Sequence, residues 1–313
     1  MMPISIVIVN YNTPEYLCEC LSSIDQYATN AEVIVVDNAS SDNSCALVKN
    51  RFPQVKLIES KQNLGFGLGN NLGVEQATQP YVMLLNSDAV LKSDTVSQLA
   101  AYLQAHPDVS CVGPRVVLPV TGEIQPKTFG FAPTLKGVLM QSIGFNRLFP
   151  RSDFFAGIDG DYRWAKEMRV GWISGVCMVM RTADYLSVGG FDKRFFMYCE
   201  DIELCMKLQK LGDIVLFDDF DVMHYGGASS KSVASKVRNS VWQQRHLLMI
   251  VRDYSGGLAC VISRFFIALG LLFRLAVGVL IIPVKGTQAN LTMISAYARL
   301  KDLAGLNSVK ETA

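Results

Sequence analysis

An α/β fold with a mostly parallel central sheet flanked by helices is what this sequence predicts, and three observations carry it. Short apolar runs recur along the first half of the chain, and several end in polar residues. Helix-like segments separate those runs, and alternation of this kind builds parallel sheets. The 313 residues are 50% hydrophobic, enough to bury a sizeable core.

The elements follow in order. Residues 4–11, around Ser5-Ile-Val-Ile-Val-Asn10-Tyr11-Asn12, open the chain as a strand, and 14–28 reads as a helix. Residues 32–38 form the next strand and deliver Asp37 at its end. The helix 42–51 has capping chemistry in Ser41-Asp42-Asn43, with Asp42 as the expected N-cap. A strand at 55–59, a helix at 68–78 and a strand at 81–86 follow. The last of these, Tyr81-Val-Met-Leu-Leu85, reads as fully buried, so Asn86-Ser87-Asp88 emerges at the carboxyl edge where open α/β sheets bind ligands. Ser93-Asp94 caps a helix that ends near His106-Pro107. From 111 to 170 the pattern loosens, with Pro114, Pro119, Pro126, Pro133 and Pro150 dividing it into loops and short pieces. Order returns with a strand over Val170–Arg181, a Gly189-Gly190-Phe191 turn and a helix over about 201–211.

Composition excludes several functions. Lys and Arg number 29 against 28 Asp and Glu, so no overall field exists to hold a nucleic-acid backbone, and no nucleic-acid partner is expected. Eight scattered cysteines form no CxxC pairs, which points to reduced thiols rather than a zinc site. No basic segment followed by an apolar stretch opens the chain, so no signal peptide is expected. Gly65, Gly67, Gly69 and Gly73 invite a dinucleotide-fold reading, but that motif belongs at the first strand-to-helix turn, which here is the glycine-free Asn10-Tyr-Asn-Thr-Pro14. Tight packing beneath a helix and close backbone approach to a ligand both account for these glycines.

Eight segments in order resemble the family 2 glycosyltransferases of GT-A fold, in the bacterial rhamnosyltransferase-like branch. They are Ser5–Asn12, Val36–Asp42, Asn63–Asn71, Leu84–Ala89, Trp172–Gly175, Gly189–Asp192, Phe195–Asp201 and His224–Ser229, and they cover roughly residues 4–250. The resemblance implies a GT-A nucleotide-diphospho-sugar transferase domain over 1–250, with a nucleotide-binding half at 1–110 and an acceptor half at 111–250, followed by a helical segment at 251–313. It also implies an inverting, metal-dependent enzyme that moves a sugar from a nucleotide diphosphate to a glycan hydroxyl. Rhamnose from dTDP-rhamnose is the donor this branch suggests, and a UDP-hexose or GDP-mannose is the alternative. The acceptor would be polyprenyl-diphosphate-linked. A catalytically silent glycan-binding or scaffold protein on the same fold is the reading from another class.

On this reading Asp201 is the general base and Asp88 the ligand of a divalent cation, Mg²⁺ or Mn²⁺, that stabilises the departing diphosphate. Where the family often has a DxD-like motif the first position here is Asn86, which offers only a neutral amide oxygen. His224 is a second candidate ligand. Asp37 is expected at the donor's base and ribose, with Asn10, Asn12, Asn63, Gly65 and Asn86 lining the donor pocket. Trp172 and Glu200 are assigned to the acceptor, Trp242 is a further stacking candidate, and Arg238 and Arg245 are candidates for reaching a diphosphate. His106 and His246 read as structural.

The stretch Leu258–Pro283 is long and apolar enough to meet a bilayer, though Arg264 and Arg274 interrupt it. Surface attachment, with both arginines at headgroups and Phe265, Phe266, Leu269, Leu272 and Phe273 in lipid, competes with spanning, and a buried helical pair is the soluble alternative. Attachment places the enzyme in the cytoplasm on the inner face of the cell membrane.

Overall fold

The computed structural model describes residues 2–149, 157–159, 167–226 and 232–305, leaving aside the side chains of residues 147 and 278–290. Pro150 and the 227–229 end of the His224 segment lie outside the described residues. The chain divides into two compact units, Met1–Phe129 with Tyr162–Phe196 and Glu200–Ser229, and Gly130–Asp161 with Met197–Cys199 and Ser230–Ala313.

The first unit begins with β1 (Ile4–Asn10), α1 (Pro14–Tyr27), β2 (Glu32–Asp37), α2 (Ser44–Arg51), β3 (Lys56–Glu59), α3 (Gly65–Val74) and β4 (Tyr81–Asn86). It continues with β5 (Ala89–Leu91), α4 (Thr95–Ala105) and β6 (Val109–Val117), and the chain then leaves it at β7 (Phe129–Gly130). The second unit carries α5 (Leu135–Ile143) and α6 (Phe145–Leu148). The chain re-enters the first unit at β8 (Glu167–Val170), β9 (Trp172–Ile173), β10 (Cys177–Arg181), α7 (Thr182–Ser187), α8 (Glu200–Leu208) and β11 (Asp213–His224). It ends in the second unit with α9 (Val233–Ser255) and α10 (Gly257–Leu303).

The main sheet runs β3-β2-β1-β4-β10-β6-β11-β5, with β8 paired to β11. The first four strands are parallel, as the alternation predicts. At β10 the direction reverses, for it is antiparallel to both β4 and β6. Side chains alternate across a strand, so β1 faces two layers. Ile4, Ile6 and Ile8 join the apolar core with Leu17, Leu21 and Ile24 of α1 and Leu99 and Leu103 of α4. Val7 and Val9 point the other way, onto α3.

The glycines of α3 exist for that second contact. A Cβ at Gly69 would lie 2.8 Å from Val9 and one at Gly67 2.9 Å from Phe191, while one at Gly73 would overlap Val7. Gly65 has a positive φ of 80° and sits against the Phe196 carbonyl. Each of the four glycines thus has a close protein neighbour.

Three local expectations need correction. Asn43, not Asp42, is the N-cap position of α2, although the Asp42 carboxylate accepts the Ser44 N–H at 2.9 Å. The loosened region contains a nine-residue, largely buried strand, β6, despite Pro114. Pairing of β6 with β10 is confined to Cys111 and Val112, so the missing Pro114 N–H costs no ladder bond on that side. The single strand expected over 170–181 is three pieces, broken at Gly171 and again over 174–176. Asp94 does cap α4, accepting from Ser97 N at 3.2 Å.

In the second unit α5 lies against α10, where Gly270 meets the Ser142 carbonyl. Arg264 donates to the Leu303 carbonyl at 2.5 Å. Thirty-nine residues of straight helix would separate these groups by about 58 Å, so α10 turns back on itself between them. Arg245 of α9 pairs with Asp302 at 2.5 Å, and Gln244 and Arg299 exchange bonds of 2.8 and 3.0 Å. Arg245 is thus committed inside this unit, and Arg238 stacks over Trp242 at 4.7 Å. Among the described residues one helical stretch, Gly257–Val277, is long and apolar enough to cross a membrane, with mean hydropathy 2.0.

Gly73→Ala is expected to destabilise the first unit by about 1–3 kcal/mol, the usual cost of overpacking a closed contact. Denaturant titration checks this, with a lowered midpoint and unchanged slope as the expected result.

Candidate active site

Four groups of side chains gather at the carboxyl edge of the parallel strands, all within the first unit. At the end of β4, Asp88 and His224 lie 3.0 Å apart, Oδ1 to Nε2, and Asn86 Nδ2 lies 3.3 Å from the same ring nitrogen. The pairing of His224 with Ala89 across β11 and β5 makes this neighbourhood. His224 Nδ1 is 2.8 Å from Gln125 Oε1, an acceptor, so a proton sits on Nδ1 and Nε2 is the ring nitrogen that faces Asp88 and Asn86. Both Asp88 and His224 are buried, and Asn86 Oδ1 is buried with no hydrogen-bond partner.

This donor set fits a divalent cation. A lone pair facing a carboxylate is unfavourable unless a positive charge is shared between them, and a ring nitrogen fixed from behind by a hydrogen bond is the usual state of a ligating histidine. The orphaned Asn86 oxygen adds a neutral third donor. No group of three or more His, Cys, Asp or Glu side chains gathers among the described residues.

A second group closes the loops after β1 and β2. Asn10 Nδ2 donates to Asp37 Oδ1 at 3.0 Å, Ser40 N to Asp37 Oδ2 at 2.9 Å, and Ser40 Oγ accepts from Asn12 N at 3.0 Å. Asn12 and Ala39 hold left-handed φ values of 54° and 62°, so this clasp stores backbone strain. Thr13 bridges it to the β4 edge through Asn10 Oδ1 at 2.8 Å and Ser87 Oγ at 3.1 Å. Asp37, expected at the donor's base and ribose, therefore spends hydrogen bonds on the loop itself.

Asn63 and Gly65 form the third group, and Asn38 holds them. Its amide donates to Asn63 Oδ1 at 3.0 Å and the Gly65 carbonyl at 3.1 Å, and its oxygen accepts from Leu64 N at 2.8 Å.

The fourth group surrounds Asp201 in the first turn of α8. Its Oδ2 accepts from Gly175 N at 3.2 Å and its Oδ1 from Ile202 N at 2.9 Å. Gly175 is required here, because a Cβ would fall 2.8 Å from the Phe66 ring. Burial raises the Asp201 proton affinity above the usual aspartate range, and the two N–H donors oppose that rise. Glu200 is 6% exposed with Oε2 lacking any hydrogen bond, and burial, reinforced by the Asp201 charge, pushes its pKa well up. Tyr198 and Cys199, just ahead of it, both have positive φ, 69° and 65°. Glu203 turns elsewhere, to Lys207 at 3.0 Å.

Trp172 is 4% exposed, so its ring offers almost no face for a sugar, and Trp242 is buried as well. His106 Nδ1 and His246 Nδ1 donate to the carbonyls of Tyr102 and Tyr198 at 2.9 and 2.8 Å, which are structural contacts. Sequence reasoning gave no role to Gln125, Ser40, Thr13, Asn38 or Gly175. Asn38 and Gly175 stand inside the recognised segments, but Gln125 has no local signal. A separate cavity of about 670 Å³ beside α1 and β5, lined by Glu15, Glu19, Arg51, Lys92 and Tyr225, includes none of the four groups.

A nucleotide-sugar transferase of GT-A fold is the class that this sheet and its carboxylate edge define. The chain belongs to glycosyl transferase family 2, whose pattern matches residues 5–167. It is 26% identical over 238 residues to the N-acetylglucosaminyl-diphospho-decaprenol L-rhamnosyltransferase of Mycobacterium tuberculosis, covering 72% of this chain and 76% of that protein. It is 25% identical over 246 residues to rhamnosyltransferase WbbL of Escherichia coli K12, covering 74% and 86%. The solved mannosyltransferase PcManGT of Pyrobaculum calidifontis, in complex with GDP-Man and Mn²⁺, shares the fold with a TM-score of 0.62 at 17% identity, over 98% of this chain and 89% of that one.

A buried acid with raised pKa stabilises the fold fully only below its unfolded value, about 4.5 for glutamate, and that contribution is lost as pH rises towards the folded value. Glu200→Gln should therefore melt at least about 2 °C above the parent near pH 8, the gap closing towards about pH 4.5. Melting curves across that range check it.

Proposed function

We propose that this transferase moves rhamnose from dTDP-rhamnose to a hydroxyl of a polyprenyl-diphosphate-linked glycan, by single displacement with inversion. The observation that carries the mechanism is Asp201: a half-buried carboxylate, aimed by two backbone N–H groups and raised in proton affinity, has the properties of a general base. It takes the proton of the acceptor hydroxyl as that oxygen bonds to the anomeric carbon and the bond to the nucleoside diphosphate breaks. Glu200, whose proton affinity burial and the Asp201 charge raise, supports the acceptor side.

Asp88, His224 Nε2 and Asn86 Oδ1 would hold Mg²⁺ or Mn²⁺, which when bound stabilises the charge of the departing diphosphate as a Lewis acid. The Asn10–Asp37–Ser40 clasp and the Asn38–Asn63 pair shape the nucleoside side, with Asn12 and Gly65 at their margins. The names of the two relatives support the sugar and the lipid-linked acceptor. The apolar first limb of α10 supports attachment to the cytoplasmic face of the cell membrane, where such an acceptor resides.

Asp201→Asn keeps shape and removes the proton acceptor. Turnover is expected to fall about 10²- to 10⁴-fold, with nucleoside diphosphate affinity unchanged. Wild-type turnover in the variant would remove Asp201 from this role. Asp88→Ala is expected to abolish the Mn²⁺-dependent part of nucleoside diphosphate affinity, since Asn86 supplies no second carboxylate. Calorimetric titration with Mn²⁺ and with chelator measures it, and a parent protein that binds and turns over equally in chelator would refute the metal assignment. A melting panel of dTDP-rhamnose, UDP-hexoses and GDP-mannose decides the donor.

A further inference from the structure

Asp201 follows, by two peptide bonds, a pair of residues in a conformation that their own backbone disfavours. Tyr198 and Cys199 both have left-handed φ, 69° and 65°, and neither is glycine. In that region the Cβ crowds the following carbonyl, so a tyrosine and a cysteine in succession stay there only when their surroundings hold them. The chain meets other positive φ angles around the site with glycine, at Gly65, Gly189 and Gly190.

Three bonds from α9 supply the hold. His246 Nδ1 donates to the Tyr198 carbonyl at 2.8 Å, Asn239 Nδ2 donates to the Tyr198 hydroxyl at 2.7 Å, and the Cys199 thiol donates to the Gln243 carbonyl at 3.6 Å. Residues 239, 243 and 246 are spaced by four and three, which puts them on one stripe of the helix. His246 and Asn239 are buried, so water does not compete for their bonds. Tyr198, Cys199 and α9 all belong to the second unit.

The pair matters for what comes next in the chain. Glu200 and Asp201 open α8 directly after Cys199, in a first turn whose direction the two left-handed residues set. Were the pair to relax to right-handed or extended φ, the chain would leave Cys199 at another angle. The Asp201 carboxylate would then lose the Gly175 N–H that it accepts at 3.2 Å.

We propose that His246, with Asn239, is a positioning residue for Asp201, acting through the left-handed Tyr198-Cys199 pair. Its value for catalysis rests on Asp201 being the general base proposed above, and two readouts separate the claims. Amide hydrogen exchange of the full-length protein reports the Gly175 N–H without any substrate, while the N–H of buried Val35 in β2 reports global opening. In His246→Ala, Gly175 is expected to exchange about tenfold faster relative to Val35. Turnover with the donor that most stabilises the parent in the melting panel should fall about 10²-fold at unchanged donor KM. His246→Asn, whose amide can replace the Nδ1 donor, should keep both readouts within about threefold of the parent. Adding Cys199→Gly to His246→Ala should restore turnover about tenfold, because glycine adopts left-handed φ unaided.

Parent exchange at Gly175 in His246→Ala would overturn the hold. Equal acceleration at Gly175 and Val35 would make His246 a general stabilising contact and overturn it too, as would a Cys199→Gly that restores nothing. Faster exchange at Gly175 alone, with parent turnover both there and in Asp201→Asn, would uphold the hold and remove the base. Should His246→Ala not fold, Asn239→Ala is carried through the same comparisons and decides in the same way.

Discussion

Two hydrogen bonds on consecutive residues hold the candidate site together. Val176 accepts the Asn86 N–H at 3.0 Å, and its neighbour Gly175 donates to Asp201 at 3.2 Å. The end of β4 and the start of α8 are thereby tied to one short stretch of backbone, between β9 and β10. β10 is also the strand at which the sheet changes from parallel to antiparallel, so the chain must break its strand at Ser174-Gly175 to reach it. Asp88 and Asp201, 113 residues apart in sequence, are in this way placed by rigid backbone and not by flexible side chains.

The pairing of β5 with β11 adds the third member. Only three residues of each strand pair, yet they bring His224 to Asp88. With Asn86 in place of a carboxylate this edge carries less negative charge, and the proposed cation would draw on the His224 nitrogen that Gln125 orients. The buried acids around α8 work differently. Glu200 and Asp201 are next to each other, and burial favours the neutral form of each, so the pair tolerates one charge more readily than two.

The parts legible in the sequence are those governed by local periodicity. β1, β2 and β4 are unbroken apolar runs bounded by polar tips, and Asp94 stands where an N-cap must. β6 was hidden because Pro114 signals a break, and only tertiary context shows the pairing with β10 ending before it. β11 carries the apolar run Ile214–Phe217, but Asp218 and Asp221 disguise its continuation; Arg115 neutralises both, at 2.6 and 2.5 Å, where the strand bulges. The placement of Asp88 and Asp201 at one edge of the sheet was legible because acidic tips at strand and helix ends follow a pattern. Gln125 was not, since its meaning comes entirely from a contact 99 residues away. Arg245 looked available on a helix face until Asp302, far along the chain, claimed it.

The interleaving of the two units bears on how the chain is made. A ribosome delivers α5 and α6 long before α9 and α10, and Gly270, the residue that lets α10 approach Ser142, emerges 128 residues after its partner. The first unit can close its sheet as soon as β11 has appeared, whereas the apolar side of α5 waits for the C-terminal hairpin. Local contacts form quickly and distant ones slowly, so the second unit is the last to assemble. During that delay the apolar side of α5 lacks the helix that covers it in the finished fold.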